Sequence, residues 1–186
     1  MPHRLEVRCP ECAGRAEFEF AELRRIERRD DVAFFQEHPH FLYRQYADGC
    51  GHLWHGALYF AGLSGDPRRV LDGLPEGYAP CDWLHSRYLS RSHGQDIGSI
   101  DCPGCGLRRR HELAWPGDAW YLVAHRGHLL WAFHRESALE LLDYLQSSER
   151  NLRRYRWRAF LLHVPTPFKV RKARDAVCRQ LLRLLG

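Results

Sequence analysis

Long apolar runs are absent from this chain. Its clean stretches, such as Leu129-Leu130-Trp131-Ala132-Phe133, fall far short of the ~20 residues that a membrane-spanning helix needs. The opening residues, Met1-Pro2-His3-Arg4-Leu5-Glu6, hold no apolar segment of the secretory kind. A cytoplasmic protein with no membrane contact is therefore expected. Common catalytic signatures are missing too. There is no His-Glu-x-x-His, no Gly-x-Ser-x-Gly and no phosphate-cradling Gly-x-x-x-x-Gly-Lys-[Ser/Thr].

What is present is enough apolar material for a core. Of 186 residues, 45% are hydrophobic and 12% aromatic, which argues against disorder. Seven cysteines stand at 9, 12, 50, 81, 102, 105 and 178. The number is odd, and four of them fall in two Cys-Pro-x-Cys pairs, a pattern that favours metal over disulfides in a chain expected to stay inside the cell. The formal net charge of +5 is unevenly spread: from Arg150 onward there are 11 Lys/Arg and a single acid, Asp175, on a body that is net acidic. A basic tail on an acidic body points to a polyanion or an acidic partner surface.

Two segments resemble each other. Val7-Arg8-Cys9-Pro10-Glu11-Cys12 precedes the alternating Ala16, Phe18 and Phe20; Ile100-Asp101-Cys102-Pro103-Gly104-Cys105-Gly106 precedes Arg109, His111 and Leu113. Each pair is expected on a turn between short strands. Each half then offers a hairpin. Residues 41–47 turn through Asp48-Gly49-Cys50-Gly51 into His52-Leu53-Trp54, and residues 120–124 turn through His125-Arg126-Gly127-His128 into Leu129-Leu130-Trp131. Asp66-Pro67 opens a short helix expected to reach about Leu74. The Ser90–Gly98 stretch reads as the boundary between halves. Helices are expected from about Glu136 to Ser148 and from Thr166-Pro167 onward, the latter with Val170, Ala173, Val177, Leu181 and Leu184 on one face. The fold class is α+β, with two small antiparallel zinc-ribbon-like units. The first, residues 1–89, carries a helical insertion; the second, 99–186, is a ribbon over 99–134 followed by a basic helical segment, 135–186.

Zinc takes four tetrahedral ligands from thiolate and imidazole, and Cys-x-x-Cys sets two thiolates on one tight turn. Cys102 and Cys105, followed by His125 and His128, make a Cys₂His₂ set that resembles a zinc ribbon. Cys50-Gly51-His52-Leu53-Trp54 is similar to the Cys-Gly-His-x-Trp end of the same family, which assigns Cys50 to the first pair, Cys9 and Cys12. The family's remaining ligand position is occupied by Ala47, so the fourth ligand is sought among His52, His55 and Cys81, with His52 favoured. The resemblance thus implies two Zn²⁺ sites. The segment Leu162–Phe168 with its basic helix also resembles the end of uncharacterised bacterial zinc-ribbon proteins. Zinc deaminases place His-x-Glu before Pro-Cys-x-x-Cys; here His111-Glu112 follows its pair, and a closed ligand set leaves no open position for water. No catalytic residue is expected.

The resemblance raises nucleic-acid binding as the function, since zinc ribbons often serve transcription, replication and DNA processing. The residues that fit are Arg150, Arg153, Arg154, Arg156, Arg158, Lys172, Arg179 and Arg183, with Tyr155 and Trp157 as stacking candidates. Tyr155 and Trp157 can equally form the buried face of a helix. The alternative is an adaptor or assembly subunit that zinc holds together and that docks on an acidic protein partner.

Overall fold

The computed structural model describes residues 1–85, 96–149 and 151–186, and only the backbone of Arg171 and Lys172. Most of the expected boundary at Ser90–Gly98, and Arg150, lie outside the described residues. In chain order the elements are β1 (Arg4–Arg8), β2 (Arg15–Phe20), β3 (Glu22–Arg25), α1 (Val32–Glu37), β4 (Phe41–Ala47), β5 (Leu53–Tyr59), α2 (Ala61–Ser64), α3 (Pro67–Val70), β6 (Ile97–Asp101), β7 (Arg108–Glu112), β8 (Tyr121–His125), β9 (His128–Ala132), α4 (Arg135–Gln146), α5 (Arg158–Leu162), α6 (Thr166–Lys169) and α7 (Arg171–Leu185). The class is α+β, as expected.

The compact units differ from the two sequence halves. One contains residues 1–17, 102–105 and 114–186; the other contains 18–101 and 106–113. These units cross the division expected at 89/99: the chain leaves the first unit inside β2, and the second Cys-Pro-x-Cys turn belongs with residues 1–17. Among the described residues, no helix is long and apolar enough to cross a membrane.

In the first unit, β1 buries Leu5 and Val7 and exposes Arg4 and Arg8, the period-2 pattern of a half-buried strand. It is held by Glu6 N–H on the Phe133 carbonyl (2.8 Å), Arg8 N–H on the Asp118 carbonyl (2.7 Å) and a bridge between Val7 and Ala119. The β8–β9 hairpin closes with Arg126 at φ 50° and Gly127 at φ 77°. Two consecutive positive φ values are what a two-residue turn requires to match strand twist. Helix α4 starts at a reciprocal cap: the Ser137 amide faces His134 Nδ1 at 3.4 Å, and Ser137 Oγ accepts the His134 amide at 3.0 Å. Leu141, Leu142 and Leu145 from α4 then pack with Val177, Leu181 and Leu185 from α7 and with Tyr121 and Val123 from β8.

The final helix is broken where the sequence suggested continuity. Val170 is extended (ψ 142°) between α6 and α7 and is half exposed, while Ala173, Val177 and Leu181 are buried as expected. The helix opening at Asp66 is also shorter than expected and ends at Val70, with the Asp66 carboxylate accepting the Arg68 amide at 3.0 Å.

In the second unit, β3, β5 and β4 form an antiparallel sheet in that order, and β6 pairs with β7. Phe35, Phe41, Tyr59 and Trp83 fill one face of the three-stranded sheet; Trp83 Nε1 donates to the Ala57 carbonyl at 3.1 Å. Leu58, Phe60, Ala21 and Ile97 form a second cluster. Strand β6 lies so close to β2 that a Cβ on Gly98 would stand 2.2 Å from the Glu19 carbonyl oxygen. Only glycine fits there.

Candidate metal centre

Strand β1 delivers Cys9 directly into a turn. The Cys9 amide donates to the Gly14 carbonyl (2.8 Å) and the Ala13 amide to the Cys9 carbonyl (2.9 Å). The residue after the second cysteine is left-handed in both turns: Ala13 at φ 57° and Gly106 at φ 74°. Glycine takes that conformation freely and alanine does so at a cost. A Cβ on Gly14 would stand 3.2 Å from Cys12 Sγ, so the small residue gives that sulfur its room.

The two turns bring their thiols to one point. Cys9 Sγ lies 3.7 Å from Cys105 Sγ, and Cys12 Sγ lies 3.6 Å from Cys102 Sγ. All four sulfurs fall within 4.8 Å of one another. A zinc–thiolate bond of ~2.3 Å in a regular tetrahedron implies sulfur–sulfur edges of about 3.8 Å. The cross-turn edges meet that geometry, so the donor set fits one metal ion such as zinc. Cys9 and Cys102 are buried, while Cys12 and Cys105 reach solvent.

The environment prepares the thiols unequally. The Cys12 and Glu11 amides hydrogen-bond toward Cys9 and outweigh its burial, bringing that thiol down to about 7. The Gly14 amide acts on Cys12 in the same sense, but the Cys102 and Cys9 thiols and burial oppose it, and Cys12 is raised. A thiolate is the ligating form, and Cys9 reaches it at lower pH than Cys12.

This is a different assignment from the ribbon pattern. Cys102 and Cys105 join Cys9 and Cys12 instead of His125 and His128. Four thiols already complete a tetrahedron, which leaves no position for imidazole. His125 and His128 face each other across the β8–β9 turn, and their rings lie 6.5 and 6.4 Å from Phe168. Cys50 and His52 are likewise absent from the set. They sit exposed on the β4–β5 turn, beside Asp48, whose carboxylate is lowered by the His52 and Cys50 amides that donate to it. Of the other ligand candidates, His55 Nδ1 engages the Tyr43 hydroxyl at 2.6 Å, and Cys81 is exposed on a short helical turn. Cys178 is packed in α7, where burial raises its thiol.

One signal for this four-thiol cluster was available in the sequence. Two near-identical turns each supplied two thiols, and the first lacked an obvious fourth ligand.

The Arg-rich tail is placed more variously. Arg153, Arg158, Arg179 and Arg183 are exposed, and the last two stand one turn apart on α7. Arg154 pairs with Asp143 (3.2 Å) and Arg156 with Glu136 (3.4 Å), both acids of α4. Tyr155 is buried with its hydroxyl on Asp143 (2.6 Å), and Trp157 packs on His134 and Phe133. Tyr155 therefore belongs to the core, while Trp157 is half-buried. Burial and then Asp143 push the Tyr155 phenol up to about 12. For Lys172 only the backbone is described, and Arg150 lies outside the described residues.

No protein-family model, curated protein or solved structure matches this chain.

Proposed function

We propose that this chain is a non-catalytic zinc-binding protein, stapled by one tetrathiolate centre, whose basic C-terminal region binds nucleic acid through its phosphates. The observation that carries the first part is the convergence of four sulfurs at cross-turn spacings of 3.6 and 3.7 Å. A catalytic zinc keeps one position for water; four thiolates leave none, so the role is structural. Support for the second part is the exposure of Arg153, Arg158, Arg179 and Arg183. With Tyr155 buried and Trp157 half-buried, contact would be chiefly to the backbone and independent of sequence.

Anisotropy of short labelled DNA and RNA across a salt series tests this. Two to four neutralised phosphates give a slope of log affinity against log salt of about −2 to −4. Replacing Arg179 and Arg183 by Glu should flatten it. Absence of binding at low salt would refute nucleic acid as the ligand. The inward placement of the aromatics also favours a second reading, an adaptor whose arginines meet an acidic protein surface. In that case a stoichiometric protein partner would co-purify without nucleic acid.

A further inference from the structure

The β4–β5 turn carries a second group of ligand atoms, in the other compact unit. Asp48, Cys50 and His52 alternate along five residues, and a carboxylate oxygen, the thiol sulfur and a ring nitrogen lie within 4.8 Å of one another. The turn is organised by the aspartate. Its Oδ1 accepts the Cys50 amide at 2.8 Å and the His52 amide at 2.9 Å, which fixes the backbone of both ligand residues. The other oxygen, Oδ2, faces His52 Nδ1 at 3.4 Å. Tetrahedral zinc with oxygen and nitrogen ligands at ~2.0 Å has an edge of about 3.3 Å between them. The carboxylate and the imidazole stand close to that spacing.

We propose that Asp48, Cys50 and His52 form a separate, exchangeable site for a divalent transition ion of zinc's softness. Imidazole and thiolate select such an ion over magnesium or calcium. The site differs from the tetrathiolate in two ways that follow from its place. It has three ligands, so at least one position falls to water or an exogenous donor. All three residues are exposed, so the ion enters and leaves without any opening of the fold. An exposed His–Asp contact alone contributes little, and the intervening thiol is what turns the pair into a chelate.

The test uses the full chain with its tetrathiolate already filled by zinc, titrated with cobalt(II) under reducing conditions. The expected result is one further equivalent of cobalt, with the near-ultraviolet charge-transfer band of a single thiolate. Cys50→Ser abolishes the band, and His52→Ala weakens binding by at least about tenfold, the lower end of what even outer-shell losses cost. Asp48→Asn, which keeps an oxygen for the turn, weakens binding while leaving the circular dichroism unchanged. These are surface positions, so folding survives the substitutions, and zinc content in the same samples reports on the tetrathiolate separately. No further equivalent of cobalt in the wild type, or one that persists in Cys50→Ser, overturns the proposal.

Discussion

Removing the metal from the tetrathiolate should destabilise the first unit by an amount comparable to the whole stability of a small domain. A shared ion would join residues 90 positions apart in sequence, Cys12 and Cys102, whose sulfurs lie 3.6 Å apart. A cross-link closing a loop of that length contributes about 4–5 kcal/mol through the entropy of the unfolded chain. Native domains hold about 5–15 kcal/mol in total, so the loss would take from about a third to nearly all of that stability. For a chain of this size, about 2–4 °C of melting temperature corresponds to each kcal/mol. Chelation should therefore lower the midpoint by roughly 10–20 °C, read by calorimetry or circular dichroism in the presence of a reductant. Cys102→Ser, which removes a fully buried ligand, should reproduce the shift in untreated protein. If verified metal removal moves the midpoint by less than about 3 °C, equivalent to ~1 kcal/mol, the centre is not a staple and the reasoning fails.

Three other outcomes follow from single positions. Ala13→Gly relieves the left-handed backbone at φ 57° and should raise stability by about 1 kcal/mol in a urea series, whereas Gly106→Ala should lower it. Gly98→Ala places a Cβ 2.2 Å from the Glu19 carbonyl oxygen; forced overpacking costs about 1–3 kcal/mol, visible as an earlier denaturation midpoint. The Tyr155 phenol is held neutral to about 12, above its usual value of 10.0. The unfolded state thus loses its proton first, and stability falls as pH rises between those values. Tyr155→Phe should blunt this alkaline loss, and an unchanged pH profile would assign it to other groups.

Much of the local architecture was legible. Alternation over Ala16, Phe18 and Phe20 marked β2, Arg-Gly marked the β8–β9 turn, and the leucine spacing of 138–145 marked α4. Each signal is set by the backbone period of its own segment. Strand β3 and helix α1 escaped because they are short and carry mixed polarity. The break at Val170 escaped because helical spacing on both sides remains in phase. The metal centre was half legible. Cys-Pro-x-Cys fixes two thiols on one turn, which is local chemistry, but which turns share an ion is decided by tertiary pairing. Nearby His125 and His128 fitted the spacing of a ribbon and misled. In the fold they pack toward Phe168, and the thiols that meet those of Cys9 and Cys12 come from a turn some 90 residues away.

The coordination shell tests the central claim most directly. X-ray absorption at the zinc edge, on Cys50→Ser protein so that only the tetrathiolate contributes, should show one zinc per chain with four sulfurs at ~2.3 Å. A mixed shell of two sulfurs and two nitrogens would restore the histidine pair and contradict the single Cys9-Cys12-Cys102-Cys105 centre. Protein purified with no metal at all would contradict it too.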